Sequence, residues 1–231
     1  MTYTMRAGFA VAGVVVVAFA LLLPVQATGV GSVAGSVTLT AVRSKPLATS
    51  VYGRRGVPPK AGAVGPETRK VVVYLSNPKL AQASAPMHAT IEQRGEQFVP
   101  PVTVVTTGST VDFPNADPYF HNVFSLSRAS TFDLGRYPSG TSRSQLFDRA
   151  GIVKVFCHLH SQMSALVVVL DHPWFTIPAE TGNYQLPQVP PGEYTLVAWH
   201  ERIGEQREKI QITAGATTRM DFTLPVLEGE R

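Results

Sequence analysis

After residue 28, no stretch of this sequence shows the period of three to four residues that apolar side chains keep along one face of a helix. Short apolar runs recur instead, and turn residues such as Pro114-Asn115 and Pro138-Ser139-Gly140 separate them. The 231 residues include 19 glycines and 18 prolines, which suits many short strands joined by turns. We therefore predict an all-β chain built from sandwiches.

The predicted strands lie on both sides of a long polar loop, Arg43–Arg69, and of a connector, Asn77–Pro86. Two strands belong to the N-terminal part, namely Ser32–Ala41 and Val71–Leu75. The dense middle group is Ala89–Gln93, Val102–Thr106, Thr110–Phe113, His121–Leu126, Ser144–Phe147, Gly151–Cys157 and Ala165–Leu170. The last group is Trp174–Ile177, Tyr184–Leu186, Glu193–His200, Lys209–Thr213 and Thr218–Leu224.

The first 27 residues have the pattern of an export signal. Arg6 precedes an apolar stretch from Phe9 to Leu23, which Pro24 ends, and Val25-Gln26-Ala27 is typical of a cleavage site. The alternative is an uncleaved membrane anchor, but the stretch is short for a span of about 20 residues. We predict a periplasmic or secreted protein with no stable membrane anchor once the signal is cleaved.

The charge of the chain excludes one class of partner. The formal net charge is +4, and removing residues 1–27 takes away Arg6 alone, which leaves +3. This excess is too small to indicate nucleic acid binding. Basic side chains are concentrated between Arg43 and Lys70, where Glu67 is the one acidic residue, and a solvated loop is the expected interpretation.

Cys157 is the one cysteine of the chain, so it cannot form an internal disulfide. In an exported protein it is an inert buried thiol, half of an intermolecular bridge, or a metal ligand. Along the predicted strand, Val153, Val155 and Cys157 share one face, while Lys154 and His158 share the other. The thiol is therefore expected to point into the core.

The segment from Cys157 to Met163 brings a thiol, an imidazole and a thioether within seven residues, with His160 as the imidazole. Soft sulfur ligands together with imidazole favour copper, and two histidines, one cysteine and a weak axial methionine are the ligands of electron-transfer copper. His121, at the start of an apolar strand, is the best candidate for the second histidine. Met163 is either the axial ligand or a core residue. His158 is expected at the surface.

Residues 87–171 resemble the cupredoxins. The resemblance rests on Val111–Asn115, His121–Phe124, Cys157–Met163 and Val167–Val169, and it is strongest to amicyanin, whose ligand loop has the same short Cys-x-x-His-x-x-Met form. It implies a Greek-key sandwich with one type 1 copper held by His121, Cys157, His160 and Met163. It also implies that Asn122 ties the two ligand-bearing segments together. Leu159 and Ser161 stand where the amicyanin loop has prolines.

The remaining strands resemble the carboxypeptidase regulatory-like, transthyretin-type sandwich, chiefly in Gly182–Leu186 and Val189–Leu196. Two N-terminal strands cannot be stable alone, so we expect them to complete the C-terminal sheets. The predicted organisation is a signal peptide (1–27), N-terminal strands with the basic loop (28–86), an inserted cupredoxin domain (87–171) and a regulatory-like sandwich (172–231). Chains of this build are often called methylamine-utilisation-like, which indicates no role in methylamine chemistry.

These features predict an exported single-electron carrier. The alternative is a copper carrier or buffer without a redox partner, although such proteins usually expose several methionine or histidine ligands. No nucleophile motif such as G-x-S-x-G occurs, so no enzyme activity is expected. The expected partner is a redox protein, a cytochrome or a dehydrogenase, that docks transiently. The resemblance implies that His160 reaches the surface at the docking position, among Leu159, Tyr119 and Phe120.

Overall fold

The structure, a computed structural model, describes residues 29–43, 67–76 and 84–228, without the side chains of 41–43 and 226–228. These residues form 18 strands and a single 3-10 turn, Glu67–Lys70, with no α-helix among them. The predicted all-β, two-sandwich fold is confirmed. None of the described residues form a helix that could cross a membrane. The predicted signal peptide and most of the basic loop lie outside the described residues.

Two strands precede the central part of the chain, β1 (Gly31–Arg43) and β2 (Val71–Ser76). Ten strands follow: β3 (His88–Thr90), β4 (Glu92–Gln93), β5 (Phe98–Val99), β6 (Val102–Thr106), β7 (Ser109–Pro114), β8 (His121–Ser127), β9 (Ser130–Tyr137), β10 (Ser142–Phe147), β11 (Gly151–Phe156) and β12 (Ser164–Leu170). The last six are β13 (Phe175–Thr176), β14 (Asn183–Val189), β15 (Gly192–His200), β16 (Gly204–Ile212), β17 (Thr217–Arg219) and β18 (Phe222–Glu228).

Strands β3 to β12 form what we call the central sandwich. One sheet has the order β6-β12-β11-β8-β9, the other has the order β10-β7-β3, and β4 and β5 form a separate hairpin. Strands β8 and β9 pair in the first sheet, while the flanking β7 and β10 pair in the second, which is a Greek-key connection. Fifteen buried apolar residues, among them Val153, Val155 and Cys157, fill the space between the sheets.

The split sandwich consists of β1, β2 and β13 to β18, so its strands come from both ends of the described chain. β1 pairs with β14, β17 and β18. β2 lies between β13 and β15 in the second sheet, which β16 completes. Its core includes Val33, Leu75, Tyr184, Leu196 and Phe222. Pairing with C-terminal strands thus buries apolar side chains that the two N-terminal strands could not bury alone.

A third apolar cluster joins the two sandwiches. We call it the junction cluster, and its buried members are Val72 of β2, Val102 and Val104 of β6, and Leu166 and Val168 of β12. Tyr74, Leu170, Phe175, Ile177 and Trp199 pack against it while remaining partly exposed. Four sheets are therefore stacked face to face, and β2, β6 and β12 are covered on both sides. This explains why β2 and β12 are almost continuously apolar rather than alternating, and why all five residues of β6 are buried.

Most predicted strands lie within a few residues of observed ones, but β9 was not among the predicted strands. Its alternation is short, because between its two end residues only Phe132 and Leu134 are apolar and face the core, and both stay partly exposed in this edge strand. The predicted strand Lys209–Thr213 starts too late, because β16 begins at Gly204 and its first half is a charged edge strand. The final predicted strand, Thr218–Leu224, corresponds to two observed strands, β17 and β18.

Candidate metal centre

The chain leaves β11 with the cysteine pointing inward. Val153, Val155 and Cys157 are buried, whereas Lys154 and His158 are exposed. The strand alternation predicted from the sequence is therefore confirmed. Because the thiol lies at the end of the strand, it is part of the apolar core and also faces the adjoining loops at one end of the central sandwich.

His121, the first residue of β8, is fully buried. The loop before it is organised by Asn115, whose Oδ1 accepts a hydrogen bond from the Asp117 N–H at 3.0 Å. The Asn115 Nδ2 donates to the carbonyl oxygens of Tyr119 at 2.8 Å and Tyr137 at 3.2 Å. One buried asparagine thus fixes the turn that delivers the imidazole to the end of the sandwich.

The second ligand-bearing segment is the short loop between β11 and β12. The Met163 N–H donates to the His160 carbonyl at 3.0 Å, and the Met163 side chain is buried in the same cluster as Cys157. Asn122 Oδ1 accepts a hydrogen bond from the His158 N–H at 3.2 Å. The side chain next to His121 therefore holds the loop that carries the other candidate ligands, as the cupredoxin resemblance implies.

The three strongest candidate ligands converge on one point. His121 Nδ1 lies 3.2 Å from His160 Nδ1, and Cys157 Sγ lies 3.9 Å from the first nitrogen and 4.0 Å from the second. The centre of a triangle with these sides is about 2.2 Å from each corner, and nitrogen and thiolate ligands bind zinc, for example, at about 2.0–2.3 Å. The arrangement therefore fits one metal ion with three ligands in a plane. Among the described residues, no other group of three such side chains is found.

The Asp117 carboxylate is hydrogen-bonded to the edge of the His121 ring that faces away from Cys157 and His160. The His121 Nε2–H donates to Asp117 Oδ2 at 2.8 Å, and this oxygen also accepts from the Glu96 N–H at 2.9 Å. Asp117 Oδ1 accepts from the Gly95 N–H at 2.6 Å. Burial raises the pKa of Asp117, but the three donated hydrogen bonds outweigh it and hold the pKa below its usual value. The carboxylate is therefore ionised at neutral pH.

Asp117 was not predicted as a functional residue from the sequence. An aspartate in a turn is common, and its contact with His121 depends on how the loop folds back. The one available signal was its position in the short loop between Asn115 and His121. Because the carboxylate can only accept, the hydrogen of neutral His121 is assigned to Nε2, which leaves the Nδ1 lone pair facing Cys157 and His160.

The other histidines lie away from this group. The His158 ring stacks on Phe124 with centroids 3.7 Å apart, at the surface as predicted. His88 forms an exposed ion pair with Asp112. His172 and His200 are both buried, and burial lowers the pKa of each.

The surface over the centre is largely aromatic. Tyr119, Phe120 and Leu159 are all exposed, and the Tyr119 ring centroid lies 5.7 Å from that of half-buried His160. The Tyr119 ring also contacts the His121 ring edge-on at 5.2 Å. The imidazole of His160 is therefore the candidate ligand closest to solvent, beside these exposed side chains.

The C-terminal part of the chain matches a known family. Residues 163–225 match the family model described as carboxypeptidase regulatory-like domain, which confirms the second resemblance predicted from the sequence. The match begins in the loop before β12 and therefore includes one strand of the central sandwich. No curated protein matches the sequence.

Several solved structures are similar to part of the chain. A copper-containing nitrite reductase from Thermus scotoductus is 23% identical over 41% of this chain and 26% of its own, with a TM-score of 0.35. This chain thus spans about a quarter of that protein. A purple cupredoxin from Nitrosopumilus maritimus is 22% identical over 35% of this chain and 98% of its own, with a TM-score of 0.33. Amicyanin from Paracoccus versutus is 20% identical over 42% and 96%, with a TM-score of 0.34.

Proposed function

We propose that this protein is an exported type 1 copper protein that carries single electrons. The observation that carries the proposal is the convergence of His121 Nδ1, His160 Nδ1 and Cys157 Sγ at distances that fit one metal ion. Two imidazoles and one thiolate in a plane are the ligands of electron-transfer copper, with a weak axial thioether. Met163 is the proposed axial ligand, since it is buried in the same loop.

Bound copper would supply one-electron chemistry at this position. The chain contributes a rigid and dry site. His121 is fully buried and Cys157 nearly so, and the hydrogen bonds that Asn115 donates and Asn122 accepts fix both ligand-bearing segments. Fixed ligands can accept both oxidation states with little movement. Four protein ligands also leave no position for a substrate, so we propose an electron carrier rather than an enzyme.

The test is a comparison of visible spectra. The wild-type protein loaded with Cu(II) should show an intense thiolate-to-copper band, and Cys157→Ser should lose the band while keeping its far-ultraviolet circular dichroism. His158→Ala is the matched control, because this exposed imidazole lies beside the cysteine but outside the group, and it should keep the band. A spectrum that is unchanged in Cys157→Ser would show that copper binds elsewhere.

A redox titration separates the carrier from a copper buffer. A buffer would bind copper without cycling reversibly between its two oxidation states. Reversible oxidation and reduction of the band, with no loss of copper, is the expected result. Irreversible loss of copper on reduction would favour the buffer.

We further propose that a cytochrome or dehydrogenase docks over His160. The exposed Tyr119, Phe120 and Leu159 offer a small apolar area beside the imidazole, and transient electron-transfer contacts are small. Leu159→Glu should slow electron exchange with a surrogate cytochrome and leave the copper spectrum intact. Leu126→Glu is the matched control, because Leu126 is 78% exposed on β8, outside this area. Equal rates in both variants would contradict docking at this end.

A further inference from the structure

The hydrogen bond between Asp117 and His121 is the part of the site that the proposed function leaves unexplained. A neutral acceptor, such as a backbone carbonyl, would be sufficient to orient an imidazole. Here the acceptor is a carboxylate that is itself 7% exposed, bonded to a ring that is fully buried. Among the described residues, His121 is the ion-pair partner of Asp117. Its charge therefore acts directly on the imidazole, and at longer range on the exposed Arg94 and Tyr119.

The carboxylate is held in place by a strained turn. Gly95 and Glu96, at the tip of the β4–β5 hairpin, have φ values of 61° and 58°. A left-handed conformation is easily adopted by glycine but is uncommon for glutamate, and it persists only where the surroundings fix it. The conformation aims the two consecutive N–H groups at the two oxygens of Asp117.

The same turn also reaches the second ligand-bearing segment. Glu96 Oε2 accepts a hydrogen bond from Gln162 Nε2 at 2.8 Å, and Gln162 lies between His160 and Met163 in the chain. Through its backbone the turn fixes Asp117, and through its side chain it contacts the loop of His160. Asp117 is therefore a fixed charge rather than a mobile side chain that could turn away from the ring.

We propose that Asp117 is a positioning residue that fixes the tautomer of His121 and favours the oxidised state of the metal, an inference that rests on the proposed function. A carboxylate bonded to a ligating imidazole orients the ring and raises its basicity as a ligand. It also places a negative charge one ring away from an ion that carries one more positive charge when oxidised. Both effects lower the reduction potential.

The test is a potential measurement on two variants that lose the same charge. Asp117→Asn should raise the reduction potential and keep the thiolate band. Asp133→Asn is the matched control, because Asp133, like Asp117, accepts hydrogen bonds from one side chain and from the backbone. The donors to Asp133 are Asn122 Nδ2, at 2.7 Å, and the Gly135 N–H, at 2.8 Å. Its carboxylate touches no candidate ligand, so its replacement should shift the potential less. Equal shifts in the two variants, or no shift in Asp117→Asn, would overturn the proposal.

Nitrogen-15 NMR of the metal-free wild-type protein gives a measurement that needs neither copper nor a folded variant. His121 should be in the tautomer that carries its hydrogen on Nε2, because Asp117 can only accept. A hydrogen on Nδ1 would overturn the proposal. If the wild-type protein binds Cu(II) without a thiolate band, the proposed function fails, and the NMR result still decides whether Asp117 sets the tautomer.

Discussion

Replacing Leu166 with alanine should destabilise both sandwiches together, because this β12 residue is 4% exposed and lies in the junction cluster. Truncating a buried leucine costs about 2–5 kcal/mol, depending on how far the cavity collapses. If the central sandwich were only tethered, Leu166 would be a surface residue and the change would cost roughly 0.5 kcal/mol or less. The expected losses in the free energy of unfolding therefore differ several-fold between the two cases.

Urea unfolding of the metal-free protein can measure the difference with two independent signals. The chain has two tryptophans, and the fluorescence of both reports on the split sandwich. Trp174 lies in its core, and Trp199 of β15 packs against the junction cluster. The single buried thiol of Cys157 reports on the central sandwich through its labelling rate. With a slope of about 2–3 kcal/mol/M, both midpoints should fall by roughly 1–2 M.

Leu126→Ala is the matched control, since it truncates the same residue type at a position that is 78% exposed on the same sheet. Its midpoint should stay close to that of the wild type. If Leu166→Ala behaves like this control, or if the tryptophan transition moves while thiol labelling does not, the sandwiches do not unfold as one unit and the reasoning is refuted.

Two further results follow from buried side chains. Met163→Leu should keep the thiolate band and raise the reduction potential if the thioether is a weak axial donor, whereas a core-only role predicts an unchanged potential and a stability loss of about 1 kcal/mol. Acidification should lower the free energy of unfolding, first below the usual His200 pKa of 6.5 and then below the usual Glu67 pKa of 4.5, because the folded-state pKa of each is lowered and the unfolded chain therefore binds more protons. Urea unfolding of His200→Gln at about pH 7 and about pH 5 should show a smaller decline than the wild type, and an equal decline would contradict this assignment.

The sequence was most informative where function depends on spacing along the chain. Cys157, His160 and Met163 lie within one loop, so their types and separations are visible without a structure. His121 lies 36 residues before Cys157, and it was identified because of the motif that precedes it. Strand alternation predicted the direction of the thiol, since residues two apart share a face.

The contacts that were missed depend on how separate segments meet. Asp117 reaches His121 because Asn115 folds the loop back, and Gly95 becomes relevant because a distant hairpin tip lies against this loop. The stacking of the sandwiches was also missed, although the unbroken apolar run Ala165–Leu170 of β12 is typical of a strand covered on both faces. A run of valines identifies a buried strand but not what covers it.

The pairing of β1 with strands from the other end of the chain affects the order in which the protein can fold. Ser36 hydrogen-bonds to Asp221, 185 residues away, whereas β3 to β12 are contiguous. Contacts between distant residues form slowly, because the loop between them must be closed before any of them is gained. Among the described strands, β1 therefore has no pairing partner until β14 and the strands after it have been synthesised. During synthesis, β3 to β12 can therefore pair with one another before β1 can pair with its own partners.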